Sequence, residues 1–194
     1  MPAVTALAAP LYIATGVLIL AGLAKAMRPS ATAGALRELS IPSPLLVARA
    51  LGVGEVVIGV IAVLTGHWLA WAGISIGYLS FTAFVLWALR DPSRVGSCGC
   101  FGREDTPATP GHLVFNAVAA TVALFAVFDP VTLSSFSGST FEAVLAVALI
   151  ALGTWISIVS LTVLPRTFML VNGTSGPVVP EFSLDSPTTP RGTP

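Results

Sequence analysis

Charged residues are scarce in this chain. Its 194 residues include nine Lys and Arg and nine Asp and Glu, which is 9 % charged, whereas about 25 % is usual for a soluble protein. So few charges cannot cover a water-facing surface, which excludes a soluble enzyme. The hydrophobic content of 55 % excludes a disordered chain, and zero net charge argues against nucleic acid as a partner. The composition is that of an integral membrane protein embedded in a lipid bilayer.

Cysteine is also scarce. The only two, Cys98 and Cys100, are separated by a single residue, whereas a disulfide-stabilised scaffold needs several bridges at regular spacing. A disulfide-rich secreted domain is therefore excluded. Two thiols this close together suggest chemistry more than structural cross-linking.

Long stretches without charge predict where the chain crosses the membrane, because a helix needs about 20 apolar residues to span the hydrocarbon core. The first stretch lacks the basic start of a signal peptide, so we interpret it as a span. Gly66 and His67 divide one long stretch into a helical hairpin. The five predicted spans are 8–26, 45–65, 68–89, 111–128 and 141–164.

The predicted fold class is therefore all-α, a polytopic membrane helix bundle with a four-helix core and a fifth, C-terminal transmembrane helix. The bundle occupies residues 1–165, and the Pro-rich residues 166–194 form an extended or disordered tail. Between the first two spans, we expect a short interfacial helix with Ser30 as N-cap. Its apolar face would consist of Ala33, Leu36 and Leu39.

The basic residues predict the orientation of the bundle. All nine Lys and Arg lie in 25–49, in 90–110 or beyond the fifth span, and with five spans these three regions share one face. We predict a multi-pass protein of the plasma (inner) membrane. Because cytoplasmic loops are enriched in basic residues, the face that carries these three regions is predicted to be cytoplasmic. The N-terminus of the protein is outside, and its Cys-Gly-Cys loop and C-terminus are cytoplasmic.

Glu55 is the most unusual residue of the predicted spans. It lies six residues beyond Arg49, or about 9 Å at the helical rise, and a carboxylate at that depth normally faces the bundle interior with a partner. Lys25, at the end of the first span, is the obvious partner. The pair has a structural interpretation, as an ion pair joining two helices, which we favour for Lys25. For Glu55 a functional interpretation, as a proton acceptor beside the thiols, is equally open.

Other residues of the spans suggest packing roles. Asn116 is expected to hydrogen-bond between helices or to cap the remaining lone pairs of Glu55. The spacing of Gly73 and Gly77 permits close helix approach. Trp68, Trp71 and Trp87 are expected to anchor the third span at the membrane interfaces.

The loop from Gly96 to Gly102 contains both cysteines and admits three interpretations. Two thiols separated by one Gly can close a small, strained disulfide, which exchanges readily and suits catalysis or regulation. In the second, Cys98 and Cys100 bind copper or zinc, with His112 as a third ligand. A lone His at a membrane interface is more often simply solvated, and we favour that interpretation of both His112 and His67. In the third, the thiols are incidental. We favour the redox interpretation.

Several sequence marks resemble one family. They are Gly22-Leu-Ala-Lys25 at the end of the first span, Leu51-Gly-Val-Gly-Glu55, Cys98-Gly-Cys100-Phe-Gly102, and Asn116 in the fourth span. Over residues 8–128 the chain resembles the methylamine utilisation protein MauE family, related to the DoxX-like membrane proteins. The fifth span and the tail depart from that pattern.

The resemblance implies a four-helix membrane bundle that takes part in thiol–disulfide exchange with a thioredoxin-like partner. In the methylamine pathway that partner assists disulfide formation in the dehydrogenase small subunit. Cys98 and Cys100 would be the redox pair, with Lys25 and Glu55 the intramembrane polar pair. No bound cofactor is predicted besides the Cys98–Cys100 disulfide itself.

The sequence therefore predicts a possible thiol–disulfide oxidoreductase component, with Cys98, Cys100 and Glu55 as candidate catalytic residues. Two other classes stay open. One is a non-catalytic subunit or scaffold of a larger membrane complex, and the other is a protein that handles copper or zinc.

Overall fold

The computed structural model describes residues 2–91, 108–132 and 140–163. Both cysteines and the predicted tail, 166–194, lie outside these ranges. All regular secondary structure within them is helical, as six helices: α1 (Pro2–Met27), α2 (Ser30–Glu38), α3 (Pro44–Thr65), α4 (Trp68–Arg90), α5 (Pro110–Phe128) and α6 (Thr140–Thr162). All except α2 are long and apolar enough to cross a membrane. The predicted fold class, an all-α polytopic membrane bundle, is confirmed.

Local sequence signals set the helix boundaries. Helix α3 ends at Gly66, whose φ of 62° lies in the left-handed region that glycine adopts without steric cost. Helix α4 begins directly after His67, whose Nδ1 accepts a hydrogen bond from the Leu69 backbone N–H at 3.2 Å. Helix α5 begins after Thr109, whose hydroxyl caps the His112 backbone N–H. The His67 and Thr109 caps each satisfy a backbone N–H that a helix start leaves unpaired.

The helices pack as two close pairs, α1 with α3 and α4 with α5, and these pairs join through α3 with α4 and α1 with α5. The main apolar core lies between α1, α4 and α5, with Leu11, Ile74 and Ala123 fully buried. Helix α6 packs against α1, and of its residues only Thr154 and Leu161 are buried. It is therefore peripheral to a four-helix core, as predicted.

Helix α2 covers the start of α3, but its details differ from the prediction. Ala31, Ala33 and Leu36 face inward, whereas Leu39 follows the helix and is exposed. Ser30 is the first helical residue, and the N-cap position is held by Pro29 without a side-chain bond. The proline fixes φ near the helical value, so the helix starts there without a capping hydroxyl.

One predicted interfacial residue belongs to the core instead. Trp71 is 0 % exposed and packs edge-on against Tyr12, with ring centroids 6.2 Å apart. The prediction that Trp71 anchors the helix at the interface is therefore wrong, because its face of α4 turns toward α1. Trp68, at the start of the same helix, is half exposed, as an interfacial residue would be.

Candidate functional site

Four buried polar residues lie near one end of the bundle. At this end, which we call the loop end, α1, α4 and α6 finish and α3 and α5 begin. Residues 92–107, which contain both cysteines, follow α4 and precede α5 in the sequence, and α4 ends and α5 begins at this end. The four residues are Lys25, Glu55, His112 and Asn116.

Lys25 and Glu55 form an ion pair between α1 and α3. The distance from Lys25 Nζ to Glu55 Oε2 is 2.6 Å, and the two residues are 2 % and 8 % exposed. A hydrogen bond between two charged groups is short and strong, and burial lowers the dielectric around it. The structure thus brings together Lys25 of the first predicted span and Glu55 of the second.

Two glycines bring the backbones of α1 and α3 close enough for this pair. A Cβ atom on Gly22 would lie 2.7 Å from the Gly52 carbonyl oxygen, and one on Gly52 would lie 2.5 Å from the Gly22 carbonyl oxygen. Real Cβ atoms essentially never approach backbone this closely. Gly22 precedes Lys25 by three residues and Gly52 precedes Glu55 by three, so the same helix crossing presents both charges.

Besides Glu55 of α3, Lys25 also contacts an aromatic residue of α4. Its Nζ lies 4.9 Å from the centre of the Phe81 ring, a distance at which a cation is attracted to an aromatic face. Phe81 was missed by the sequence reasoning, since an aromatic residue in an apolar span gives no signal of its partner. Tyr78, one turn earlier, donates its hydroxyl hydrogen to the Ala14 carbonyl at 2.6 Å and ties α4 to α1.

The second oxygen of Glu55 is different. Oε1 is buried and has no hydrogen-bond partner in the described part of the chain. Asn116 therefore does not cap it, contrary to one of the two roles expected from the sequence. Asn116 instead lines a cavity of about 20 Å³ with Lys25 and His112, which is large enough for about one water molecule.

His112 is buried rather than solvated. It is 2 % exposed, so the interpretation of this residue as a solvated interfacial histidine is wrong. Its Nδ1 lies 2.8 Å from the Thr109 hydroxyl oxygen, and its buried Nε2 has no partner among the described residues. The Thr109 cap, which sequence reasoning missed, therefore fixes the ring at the point where the cysteine segment enters α5. His67, in contrast, is exposed.

Possible metal ligands do not gather in the part of the chain that the structure describes. No three His, Asp or Glu side chains there are grouped to hold an ion. The thiols of the copper or zinc alternative, Cys98 and Cys100, lie outside those residues. Of its three expected ligands the structure places only His112.

Two of the family-like sequence segments, Gly22 to Lys25 of α1 and Leu51 to Glu55 of α3, contact each other through the Lys25–Glu55 pair and the Gly22–Gly52 crossing. Residues 2–129 match the family described as methylamine utilisation protein MauE. The chain belongs to the MauE family. The match covers α1 to α5, so the four-helix core of the bundle is the MauE part and α6 is an addition to it. No curated protein and no solved structure matches the chain.

Proposed function

We propose that this MauE-family protein is a membrane thiol–disulfide relay in which the Cys98–Cys100 pair exchanges electrons with a thioredoxin-like partner. The observation that favours it most is the buried Lys25–Glu55 pair, built from family sequence marks at the end of the bundle that the cysteine segment joins. A charged pair inside a membrane bundle is costly and generally marks function.

The exchange itself follows ordinary thiol chemistry. One thiolate of the pair attacks the partner's disulfide and forms a mixed disulfide, and the leaving sulfur of the partner takes up a proton. The neighbouring thiolate then attacks the mixed disulfide, which releases the partner as a dithiol and leaves Cys98 and Cys100 oxidised. Run in reverse, the same steps oxidise the partner.

In this proposal the Lys25–Glu55 ion pair has a structural role, and Glu55 has a chemical role as well. The pair holds α1 against α3 at the loop end. Because Glu55 Oε1 has no partner among the described residues, this carboxylate also retains an acceptor for a proton released near the loop end.

The proposed orientation places the cysteine segment in the cytoplasm. In the described residues every basic side chain lies at or just after the end of α1, in α2, in the first turns of α3 or at the end of α4: Lys25, Arg28, Arg37, Arg49 and Arg90. These positions all belong to the loop end, and basic residues favour the cytoplasmic side. A cytoplasmic dithiol is kept reduced, so in the proposed direction the Cys98–Cys100 dithiol reduces the partner's disulfide.

A redox titration of the purified protein tests the relay. With thiol alkylation as the readout, we expect Cys98 and Cys100 to switch together between a reduced and an alkylation-resistant form as the glutathione ratio changes. A Cys98→Ser/Cys100→Ser protein is the control. Thiols that never become resistant favour the scaffold alternative, and stoichiometric binding of Cu(I) or Zn(II) by the reduced protein, lost in the control, favours metal handling.

A further inference from the structure

Three arginines at the loop end are exposed. Arg28 directly follows α1, Arg37 lies in the last turn of α2, and Arg49 lies in the second turn of α3. None of the three has an ion pair or a side-chain hydrogen bond within the described ranges. One acidic residue, Glu38, lies among them in the sequence and is also exposed. This part of the loop end therefore carries a net positive charge that faces outward.

The neighbours of Arg49 place it at the boundary between lipid and water. Leu45, Leu46 and Val53 lie one turn away on the same face of α3, and they are 50, 69 and 53 % exposed. Because α3 is long and apolar enough to cross a membrane, this face meets lipid. A guanidinium in the hydrocarbon is unfavourable, but the long side chain lets the charge extend to the headgroups. Arg49 is about 8 Å from the start of α3 at the helical rise, so the phosphate layer is within reach.

Helix α2 lies beside this part of α3. Leu36 of α2 and Ala48 of α3 are buried in one small apolar cluster, and Arg37 and Arg49 directly follow these two residues in the sequence. Leu39, just after α2, is exposed. The exposed residues of α2 and of the first two turns of α3, which we call the α2–α3 surface, therefore combine apolar side chains with unpaired arginines.

We propose that the α2–α3 surface binds the headgroup of an anionic phospholipid. Arg49 donates paired hydrogen bonds to the lipid phosphate, for which the planar guanidinium is well suited. The acyl chains lie along Leu45 and Leu46, and Arg28 and Arg37 supply further positive charge. Basic residues beside a span are attracted to anionic lipid. A zwitterionic lipid offers the same phosphate, but its own cationic group weakens the attraction, so net charge selects the ligand. The proposal does not depend on the thiol relay.

Native mass spectrometry of the full-length protein tests this surface. The protein is equilibrated in neutral detergent with equal amounts of phosphatidylglycerol and phosphatidylcholine that carry the same acyl chains. We expect it to retain phosphatidylglycerol about tenfold over phosphatidylcholine, and Arg49→Gln to lower that preference about fivefold, the share of one arginine near anionic lipid. Arg49→Lys keeps the charge and should retain most of the preference. Arg90→Gln is the matched control, because Arg90 is exposed at the same end but directly followed by Asp91, and it should leave the preference unchanged.

Three results would overturn the proposal. The first is equal retention of the two lipids by the unaltered protein. The second is a preference that Arg28→Gln/Arg37→Gln/Arg49→Gln leaves unchanged. Because the three side chains are exposed, this variant should unfold at the same temperature as the unaltered protein, so a lost preference is not a folding defect. The third is displacement of phosphatidylglycerol by an equal concentration of inorganic phosphate, which would indicate a site for free anions instead of lipid.

Discussion

At the scale of single residues, the Lys25–Glu55 pair dominates the energetics of the loop end. Both side chains are removed from water and each is the other's ionic partner at 2.6 Å. Removing one partner of a buried pair leaves an uncompensated charge, which typically costs about 3–5 kcal/mol, whereas replacing both with apolar residues is often neutral or stabilising. The two residues should therefore be strongly coupled.

A double-mutant cycle measures this coupling. We expect Lys25→Met alone to destabilise the protein in detergent by about 3 kcal/mol, and Lys25→Met/Glu55→Leu to be clearly more stable than Lys25→Met. Lys25 is close enough to the membrane surface to reach water partly when it is unpaired, so Glu55→Leu should cost less than the full range. Glu55→Gln should cost less again, since an amide still accepts a hydrogen bond. Thermal unfolding is the measurement, and additive losses would show that the two residues are independent.

Residue-level prediction from the sequence succeeded for the Lys25–Glu55 pair and failed for Trp71 and His112. Lys25 and Glu55 are so unfavourable in lipid that the sequence alone suggests a partner for each. Trp71 and His112 tolerate both an interface and an interior, and no residue near them in the sequence decides between the two. Their burial follows from the packing of α4 and α5 against α1, which a single sequence does not state.

At the scale of elements, the α1–α3 crossing depends on glycine. Small residues let transmembrane helices approach closely and gain van der Waals contact. Here the closest approach, at Gly22 and Gly52, leaves no space for a Cβ atom on either helix. The crossing also determines the separation of Lys25 and Glu55, so packing and the polar pair are linked.

Two glycines of α3, Gly52 and Gly54, allow a matched test of the close α1–α3 crossing. Gly52→Ala should separate α1 from α3 and cost about 1–3 kcal/mol, as overpacking does. Gly54→Ala, two residues further along α3 and facing open space, should be neutral or stabilise the helix by up to about 1 kcal/mol. Detergent thermal stability and the redox assay should both separate the two variants. Equal behaviour of the two alanine variants would contradict a close crossing at Gly52.

The number and order of the spans followed from the sequence, because the long apolar stretches and the break at Gly66 and His67 are local signals. Their mutual arrangement did not. In a soluble protein the apolar stripe of a helix identifies the buried face, but lipid and protein interior are both apolar, so these helices are apolar all round. The inward face of α4 was for this reason invisible in the sequence. The expectation that Gly77, like Gly73, permits close helix approach is wrong for the same reason, since a Cβ atom on Gly77 would meet no atom within 4 Å, whereas Gly73 abuts Ile58.

At the scale of the whole molecule, charge is distributed unequally between the two ends of the bundle. Basic residues of the described ranges gather at the loop end, whereas Asp129 and Glu142 lie where α5 ends and α6 begins, at the opposite end. The positive end of a membrane protein faces the cytoplasm. The cysteine segment should therefore be closed to reagents added outside the cell.

Labelling of intact cells examines this orientation. We expect a membrane-impermeant maleimide to leave Cys98 and Cys100 unmodified until the cells are permeabilised, after which both react. A Ser137→Cys substitution in a Cys98→Ser/Cys100→Ser protein, between α5 and α6 in the sequence, provides the matched control and should react in intact cells. Labelling of the native cysteines before permeabilisation would reverse the orientation and remove the reason for proposing that Cys98 and Cys100 act as the reductant.

The central claim, that the two loop thiols exchange disulfides with a thioredoxin-like partner, is tested most directly by trapping the mixed disulfide. Cys98 follows the polar Ser97 and is expected to attack, while Cys100 precedes the apolar Phe101 and is expected to resolve. Cys100→Ser should then accumulate a covalent complex with a thioredoxin-like protein that reductant dissolves, and Cys98→Ser should trap nothing. No complex from either variant, together with full function of the Cys98→Ser/Cys100→Ser protein in cells, would contradict the account.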